Sequence, residues 1–290
     1  MEQMASEYSR AEICNTLNIP RSTSYAQKQK PFGVRKNQDK DLTVKIKTSF
    51  VQSRKTYGSP RIQWDLRDQG LRIGKNRINR LMRQAGLFAK QKRKFRPCTT
   101  QSNPLHPVAD NHWDRFPRPD QINQAWVADI TYIWTREGWL YLAGIMDACS
   151  RKIVGWHTRD NLETPLVTEA WNQAQQTRRP DPGLLHHSDR GCQYTSSEFS
   201  SLLKKSGTAA SMSRRGNCYD NAHQESFWAT LKAECFGSFV PKSKNQEKIM
   251  IFDYIHCFYN SKRRHSSLNY LSPDQFEEIL IKSNKKHTIN

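Results

Sequence analysis

Three acidic residues stand where the chain otherwise places apolar or neutral side chains. Asp129 interrupts the run Trp126, Val127, Ala128, Ile130, Tyr132 and Ile133, which reads as a buried strand. Asp189 follows the short stretch LLHHS, just before Arg190-Gly191, at an expected strand end. Glu225 lies early in a segment that Asp220 could cap and Gly237 could stop, which predicts a helix. An unpaired carboxylate in an apolar setting is costly, and three that converge repel one another until they bind protons or metal. Hard divalent cations prefer oxygen donors, so Mg²⁺ or Mn²⁺ is the expected occupant and phosphoryl transfer the expected chemistry.

Spacing sharpens this reading. Between Asp189 and Glu225 there are 35 residues, and Lys232 follows Glu225 by seven, two helical turns along one face. Phe227, Trp228, Leu231 and Cys235 are the expected buried stripe of that helix, with Asn221, Glu225 and Lys232 on the face bordering it. Other acidic residues have simpler explanations. Asp147 and Asp160 fit turns or caps, and Asp220 fits a helix cap. His186 and His187 beside Asp189 suggest zinc at first sight, but adjacent strand positions point to opposite faces.

The elements that must position these groups fall in the second part of the chain. Strands are expected at 125–135, 139–147 and 152–158, separated by hairpin-length turns. A helix over 165–176, a strand at 183–188, a helix at 197–205, a short strand near 208–212 and the Glu225 helix follow. This order predicts an α/β domain with a mixed sheet and helices on its faces.

Charge divides the chain differently. Its 290 residues carry +19 overall. Residues 1–100 hold 23 Lys+Arg against 7 Asp+Glu, whereas residues 101–290 hold 23 against 20. The N-terminal third is therefore expected to meet a polyanion, nucleic acid ahead of a membrane. Within it, 9–28 offers a short helical pair, either a helix-turn-helix or a small hairpin with no DNA role, and Lys28–Lys40 reads as a linker. Three helices follow, through Val44–Phe50, from Ser59-Pro60 to Gly70, and from Lys75 to about Gln84 with Gly86 beyond. Lys75, Arg77, Arg80 and Arg83 share the outer face of the third, the pattern of a DNA-binding helix-turn-helix. The basic run KQKRKFR at 90–96, which includes Lys94, opens a connector able to lie along phosphates. Near the other end, FYNSKRRHSS at 258–267 mixes aromatics with Arg263 and Arg264, also suited to a DNA backbone.

These readings give a helical segment and linker at 1–40, a helix-turn-helix domain at 41–90, a basic linker at 91–120, a catalytic domain at 121–281 and a frayed tail at 282–290. Seven scattered cysteines without a CxxC pair fit free thiols in a reducing compartment. No signal-like or membrane-spanning run is evident, so a cytoplasmic, DNA-associated location is expected, with no membrane partner.

The stretches WVADITYI (126–133), HHSDRGCQYTS (186–196), SRRGNCYDNAHQESFWATLKAE (213–234) and YNSKRRHSSLNYLSPDQFE (259–277) resemble the DDE transposases and retroviral-type integrases, and within them the insertion-sequence-three family of bacterial transposases. TYGSPR at 56–61 adds to the likeness, which runs from about Arg61 to Glu278. The resemblance implies a ribonuclease-H-like catalytic domain behind an all-α helix-turn-helix region. It also implies two Mg²⁺ ions, with Asp129 shared between them, Asp189 on one and Glu225 on the other. Water attack would nick the transposon end, and attack by the freed 3′-hydroxyl would join strands. Terminal inverted repeats and target DNA are the implied partners, with a homo-oligomer assembled on them.

Members of this family often act as a fusion with an upstream frame that supplies a leucine zipper. The chain has no sustained heptad run, so dependence on such a partner or fusion is expected. The paired His/Cys zinc module of retroviral integrases is missing, since the first histidine is His106. End recognition is thus expected to rest on the basic helices. Two other classes compete: a ribonuclease-H-type nuclease, which would cleave without joining, and a non-catalytic helix-turn-helix regulator, which has no need of the three carboxylates.

Overall fold

Eleven consecutive residues, Ala125–Thr135, form the longest strand, β1, in a computed structural model of the chain. The structure describes residues 8–18, 20–22, 34–90, 108–113, 116, 119–214 and 222–287, with backbone alone at 10, 34–36, 286 and 287. β1 turns at Arg136-Glu137 into β2 (Gly138–Asp147), paired antiparallel from Trp126↔Asp147 to Thr135↔Gly138. β3 (Ile153–Arg159) continues the meander, with an irregularity at Ile145/Met146. β4 (Leu185–Ser188) runs parallel to β1, and β5 (Ala209–Met212) parallel to β4. The sheet order is β3-β2-β1-β4-β5. Three antiparallel strands followed by helix-linked parallel ones make the ribonuclease-H-like arrangement that the resemblance implies.

Among the described residues, the first helices in chain order lie ahead of the sheet and between β3 and β4. They are α1 (Arg10–Thr16), α2 (Val34–Gln52), α3 (Ser59–Asp68), α4 (Lys75–Gln84) and α5 (Thr164–Arg178). After them come α6 (Ser197–Lys205), α7 (Ala222–Leu231), α8 (Lys244–Tyr254) and α9 (Pro273–His287). The chain divides into two compact units: Met1–Gln52 with Gly58–Phe88, and Ser53–Tyr57 with Ala89–Asn290.

In the first unit, Leu42, Ile46 and Phe50 of α2 are buried, as are Ile62 and Leu66 of α3 and Ile78, Leu81 and Met82 of α4. The Ser49 hydroxyl donates to Asp65 at 2.6 Å, and the Gln63 amide donates to the Ile73 carbonyl at 2.8 Å. Gly70 and Gly86, at φ 80° and 66°, take the left-handed conformation that ends α3 and α4. Residues 34–40, expected as linker, are helical. They lack large apolar side chains but are rich in good helix formers, and propensity carries the helix beyond its buried stripe.

In the second unit, α5 covers one sheet face. Leu166, Val167, Ala170, Trp171 and Ala174 meet Trp126, Ala128, Ala143, Ile145 and Val154. Gly155 permits this close approach: a Cβ there would run into the Ala170 carbonyl oxygen and lie 2.8 Å from the Ala174 Cβ. On β4, His186 packs against Trp171 and Phe199, while His187 meets Trp113 and accepts or donates at Ser211 Oγ, 2.9 Å away. The two imidazoles thus have different neighbours on the two faces. Asp147 makes a turn, as expected, accepting from the backbone N–H groups of Asn123, Cys149 and Ser150 at 2.7, 3.0 and 3.0 Å.

α7 and α8 each run on into a widened π turn, Lys232–Phe236 and Ile255–Asn260. The first shifts the helical stripe: Phe227, Trp228 and Leu231 are buried as expected, but Ala233 and Phe236 follow them inward, and Cys235 is only half-buried. The tail is also more ordered than expected, because α9 extends to His287. Its Glu277, paired with Arg178 at 2.7 Å and Lys152 at 3.2 Å, fixes it to α5 and the β2–β3 turn. Among the described residues no helix is long and apolar enough to cross a membrane. Gly155→Ala is expected to destabilise the fold by about 3 kcal/mol, the upper end for overpacking, because backbone must move. Urea unfolding measures it, and a loss below about 1 kcal/mol would contradict the close helix–sheet contact.

Candidate active site

Register brings the first two carboxylates together. The last β1–β4 pair is Val127↔His187, and Asp129 and Asp189 each lie two residues beyond it. Equal steps past one parallel pair bring both side chains toward the same face, where the charge of Asp189 acts on Asp129. Asp189 leaves β4 in a turn closed on its own carboxylate, which accepts from Gly191 N–H at 2.9 Å. Arg190 turns aside and donates to the Ser213 carbonyl at 2.8 Å.

Asp129 is held from the other side by α7. Its partner across β2 is Gly144. A Cβ at Gly144 would lie 2.7 Å from the Trp228 ring and 2.9 Å from the Gln224 amide, so the bare backbone admits both. Gln224 donates to the Gly144 carbonyl at 2.9 Å, and Trp228 Nε1 donates to Asp129 Oδ2 at 3.0 Å. Burial first, then the charge of Asp189 and more weakly that of Glu225, push the Asp129 carboxyl up to about 8 against the opposing hydrogen bonds from Ile130 and Trp228. The same two aspartates, together with burial, push the Tyr194 phenol well above its ordinary value.

Glu225 stands at the start of α7, exposed to solvent. It is close enough to act on Asp129, but more weakly than Asp189 does. Among the described residues no three His, Cys, Asp or Glu side chains are gathered tightly enough to hold a metal as they stand. The two aspartates are therefore closely associated, and the glutamate is the outlying member. An all-carboxylate donor set, one member already destabilised as an anion, still has the chemistry of a hard-cation site.

Lys232, two turns beyond Glu225, reaches this neighbourhood. Its ammonium lies 5.2 Å from the Tyr132 ring centroid. Burial lowers its proton affinity, while Asp129 and then Glu247 raise it. In the first unit, Lys75, Arg80 and Arg83 are exposed along α4 and Arg77 is half-buried. Arg77 and Arg80 both pair with Asp39 of α2, at 2.7 and 2.6 Å, and so brace α4 as well as presenting charge. Asn221 and Lys94 lie outside the described residues.

Arg263 and Arg264 require correction. Arg263 is 4% exposed and forks onto Glu234, with Nη2 and Nε donating at 2.7 Å; Tyr254 donates to the same carboxylate at 2.8 Å. Arg264 is 8% exposed and donates to the Tyr270 carbonyl at 2.9 Å. Both are committed to the interior instead of a DNA backbone. Their surroundings explain this: Phe258 and Tyr259 are buried, so the chain between them and α9 turns inward. Conversely, sequence reasoning passed over Gly144 and the polar use of Trp228. An isolated glycine inside a strand was the available signal, since it marks close approach by another element.

Comparison with known proteins adds an independent finding. Residues 119–218 and 225–280 match models of the Integrase core domain, and residues 36–95 match an HTH-like domain. The chain is 42% identical over 266 residues to "Insertion element IS600 uncharacterized 31 kDa protein" of Shigella sonnei, covering 92% of this chain and 97% of that one. It is 36% identical to "Transposase InsF for insertion sequence IS3A" of Escherichia coli K12, covering 96% of each. It is also 41% identical to "Transposase for insertion sequence element IS904" of Lactococcus lactis, covering 82% of this chain and 93% of the relative.

Because its carboxyl stays protonated up to about pH 8 when folded, against 3.8 ordinarily, Asp129 costs stability progressively as pH rises through that window. Without divalent metal, Asp129→Asn is expected to raise the thermal midpoint more at pH 8 than at pH 5. An equal shift at both pH values would contradict the burial and repulsion assigned to Asp129.

Proposed function

The chain belongs to the IS3 family of DDE transposases, and from that membership we propose that Asp129, Asp189 and Glu225 are the carboxylates through which it moves its insertion sequence. Its reaction class is polynucleotidyl transfer, a phosphoryl transfer on DNA, and enzymes of this family depend on metal. The carrying observation is the matched position of Asp129 and Asp189, two residues past the same parallel strand pair, where each raises the cost of ionising the other.

In this reading the carboxylates of Asp129, Asp189 and Glu225 would hold divalent ions, two Mg²⁺ or Mn²⁺. Bound there, the ions supply Lewis-acid stabilisation of the attacking and leaving oxygens. The protein's own contributions are distinct. Trp228 holds Asp129 Oδ2 through its indole N–H. The Gly191 N–H orients Asp189. Glu225, on the first turn of α7, would complete the donor set beside the two aspartates. Lys232 offers its ammonium to a phosphate of the bound strand, a contact without base preference. Nothing here requires a covalent enzyme–DNA link. Water first cleaves the transposon end, and the exposed 3′-hydroxyl then attacks target DNA.

The first unit supplies end recognition through α4, where Lys75 and Arg83 meet phosphates while Arg77 and Arg80 keep α4 braced on α2 through Asp39. Lys94 and Asn221 are included in the DNA-contacting set from their sequence positions. A homo-oligomer on paired ends, aided by an upstream-frame partner or fusion, completes the proposal.

Asp189→Asn and Glu225→Gln are each expected to lower both cleavage and strand joining at least about a thousandfold with labelled inverted-repeat ends and Mg²⁺. Gel-shift affinity for the ends should stay within about twofold. Joining that persists in Asp189→Asn would overturn the assignment, and cleavage without joining in the unaltered protein would favour a nuclease.

A further inference from the structure

Glu247 is a carboxylate whose burial the fold alone does not explain. It sits in the first turn of α8, is 0% exposed, and neither carboxylate oxygen has a hydrogen-bond partner. An isolated carboxylate out of water is costly, so a nearby charge is needed to retain it. Capping does not account for it, because Ser243 already accepts from Gln246 N–H at 3.1 Å. The charged group acting on Glu247 is Lys232. Burial pushes the Glu247 carboxyl up to about 7, and Lys232 works against that rise. Lys232 in turn feels Asp129 first and Glu247 second. Its ammonium therefore lies within electrostatic range of two carboxylates, one in the active site and one outside it, with the Tyr132 ring 5.2 Å away.

We propose that Glu247 is a positioning residue for DNA, fixing the Lys232 ammonium beside Asp129 so that it meets a phosphate of the strand being cut. This rests on the assignment of Asp129, Asp189 and Glu225 as the catalytic carboxylates. The arrangement answers a specific difficulty. A long lysine side chain loses considerable rotamer freedom when held in one place. Metal bound at Asp129 also weakens the attraction that otherwise draws the ammonium there. Glu247 is not one of the three proposed metal-binding carboxylates, so its pull on Lys232 persists when Asp129 is engaged. An exposed acid would be screened by water, whereas the charge carried by a buried one is screened much less over the same distance.

The test is a double-mutant cycle in the full-length protein, using strand joining with Mg²⁺ and measuring KM for the DNA end separately from kcat. Glu247→Gln and Lys232→Met are each expected to raise KM about tenfold, and the double variant to be no weaker than Lys232→Met alone. Additive losses, or a Glu247→Gln enzyme with unchanged KM, overturn the proposal. If Glu247→Gln does not fold, Glu247→Asp carries the same test: it should raise KM when Lys232 is present and leave it unchanged in Lys232→Met. An equal rise in both backgrounds marks a merely structural role and overturns it. Asp189→Asn, run in parallel, separates the two readings. If it abolishes joining while the cycle is additive, the positioning role alone fails; if it does not, the catalytic assignment fails first.

Discussion

Mutual repulsion between Asp129 and Asp189 is the constraint on which the active-site structure turns. With Asp129 poorly solvated and the charge of Asp189 acting on it, the two carboxylates cannot both ionise cheaply. A fold retains such a pair only when something else relieves the conflict. Arg263 and Glu234 show the alternative solution a few elements away, where a buried carboxylate is matched by a forked guanidinium and a tyrosine hydroxyl. At Asp129 the neutral indole N–H of Trp228 takes one oxygen instead. That donor orients the carboxylate while leaving its charge available to a cation.

The scaffold follows from this need. β1 must remain extended past its last pair with β4, so that Asp129 projects where a ligand has room. α7 must approach closely enough to bring Trp228 and Gln224 onto β2, which is why residue 144 carries no side chain. On the opposite face α5 exploits the same device at Gly155. The sheet is thus pinched between two helices at glycines on adjacent strands, and the pinch fixes β2 against β1 beneath the acidic group. Lys232 follows directly on the last α-helical turn of α7, where the π turn begins, and its register to Glu225 is therefore undisturbed.

Much of this was legible in the sequence because the governing signals are local. Alternation and β-branched residues mark β1, Gly70 and Gly86 mark helix ends, and an acid amid Val, Ala and Ile marks the site. The failures were of another kind. Arg263 and Arg264 look like a basic surface patch, and only the tertiary position of Glu234, 29 residues earlier, shows that one of them is interior. Cys235 left its predicted stripe because a π turn is invisible to a strict 3.6-residue period. Residues 282–287 stay helical because α9 is anchored by Glu277 to Arg178, a contact no local pattern encodes. Glu247 had no signal at all: an acid in the first turn of a helix is what the helix dipole favours anywhere.

The most direct test of the central claim is calorimetry of Mn²⁺ binding at pH 7 in buffers of different ionisation enthalpy, comparing the unaltered chain with Asp129→Asn. If repulsion and burial keep the Asp129 proton in place until a cation arrives, binding should release about one proton, and the variant should release almost none. Mn²⁺ binding without proton release in the unaltered chain, or the same release from both proteins, would contradict the account.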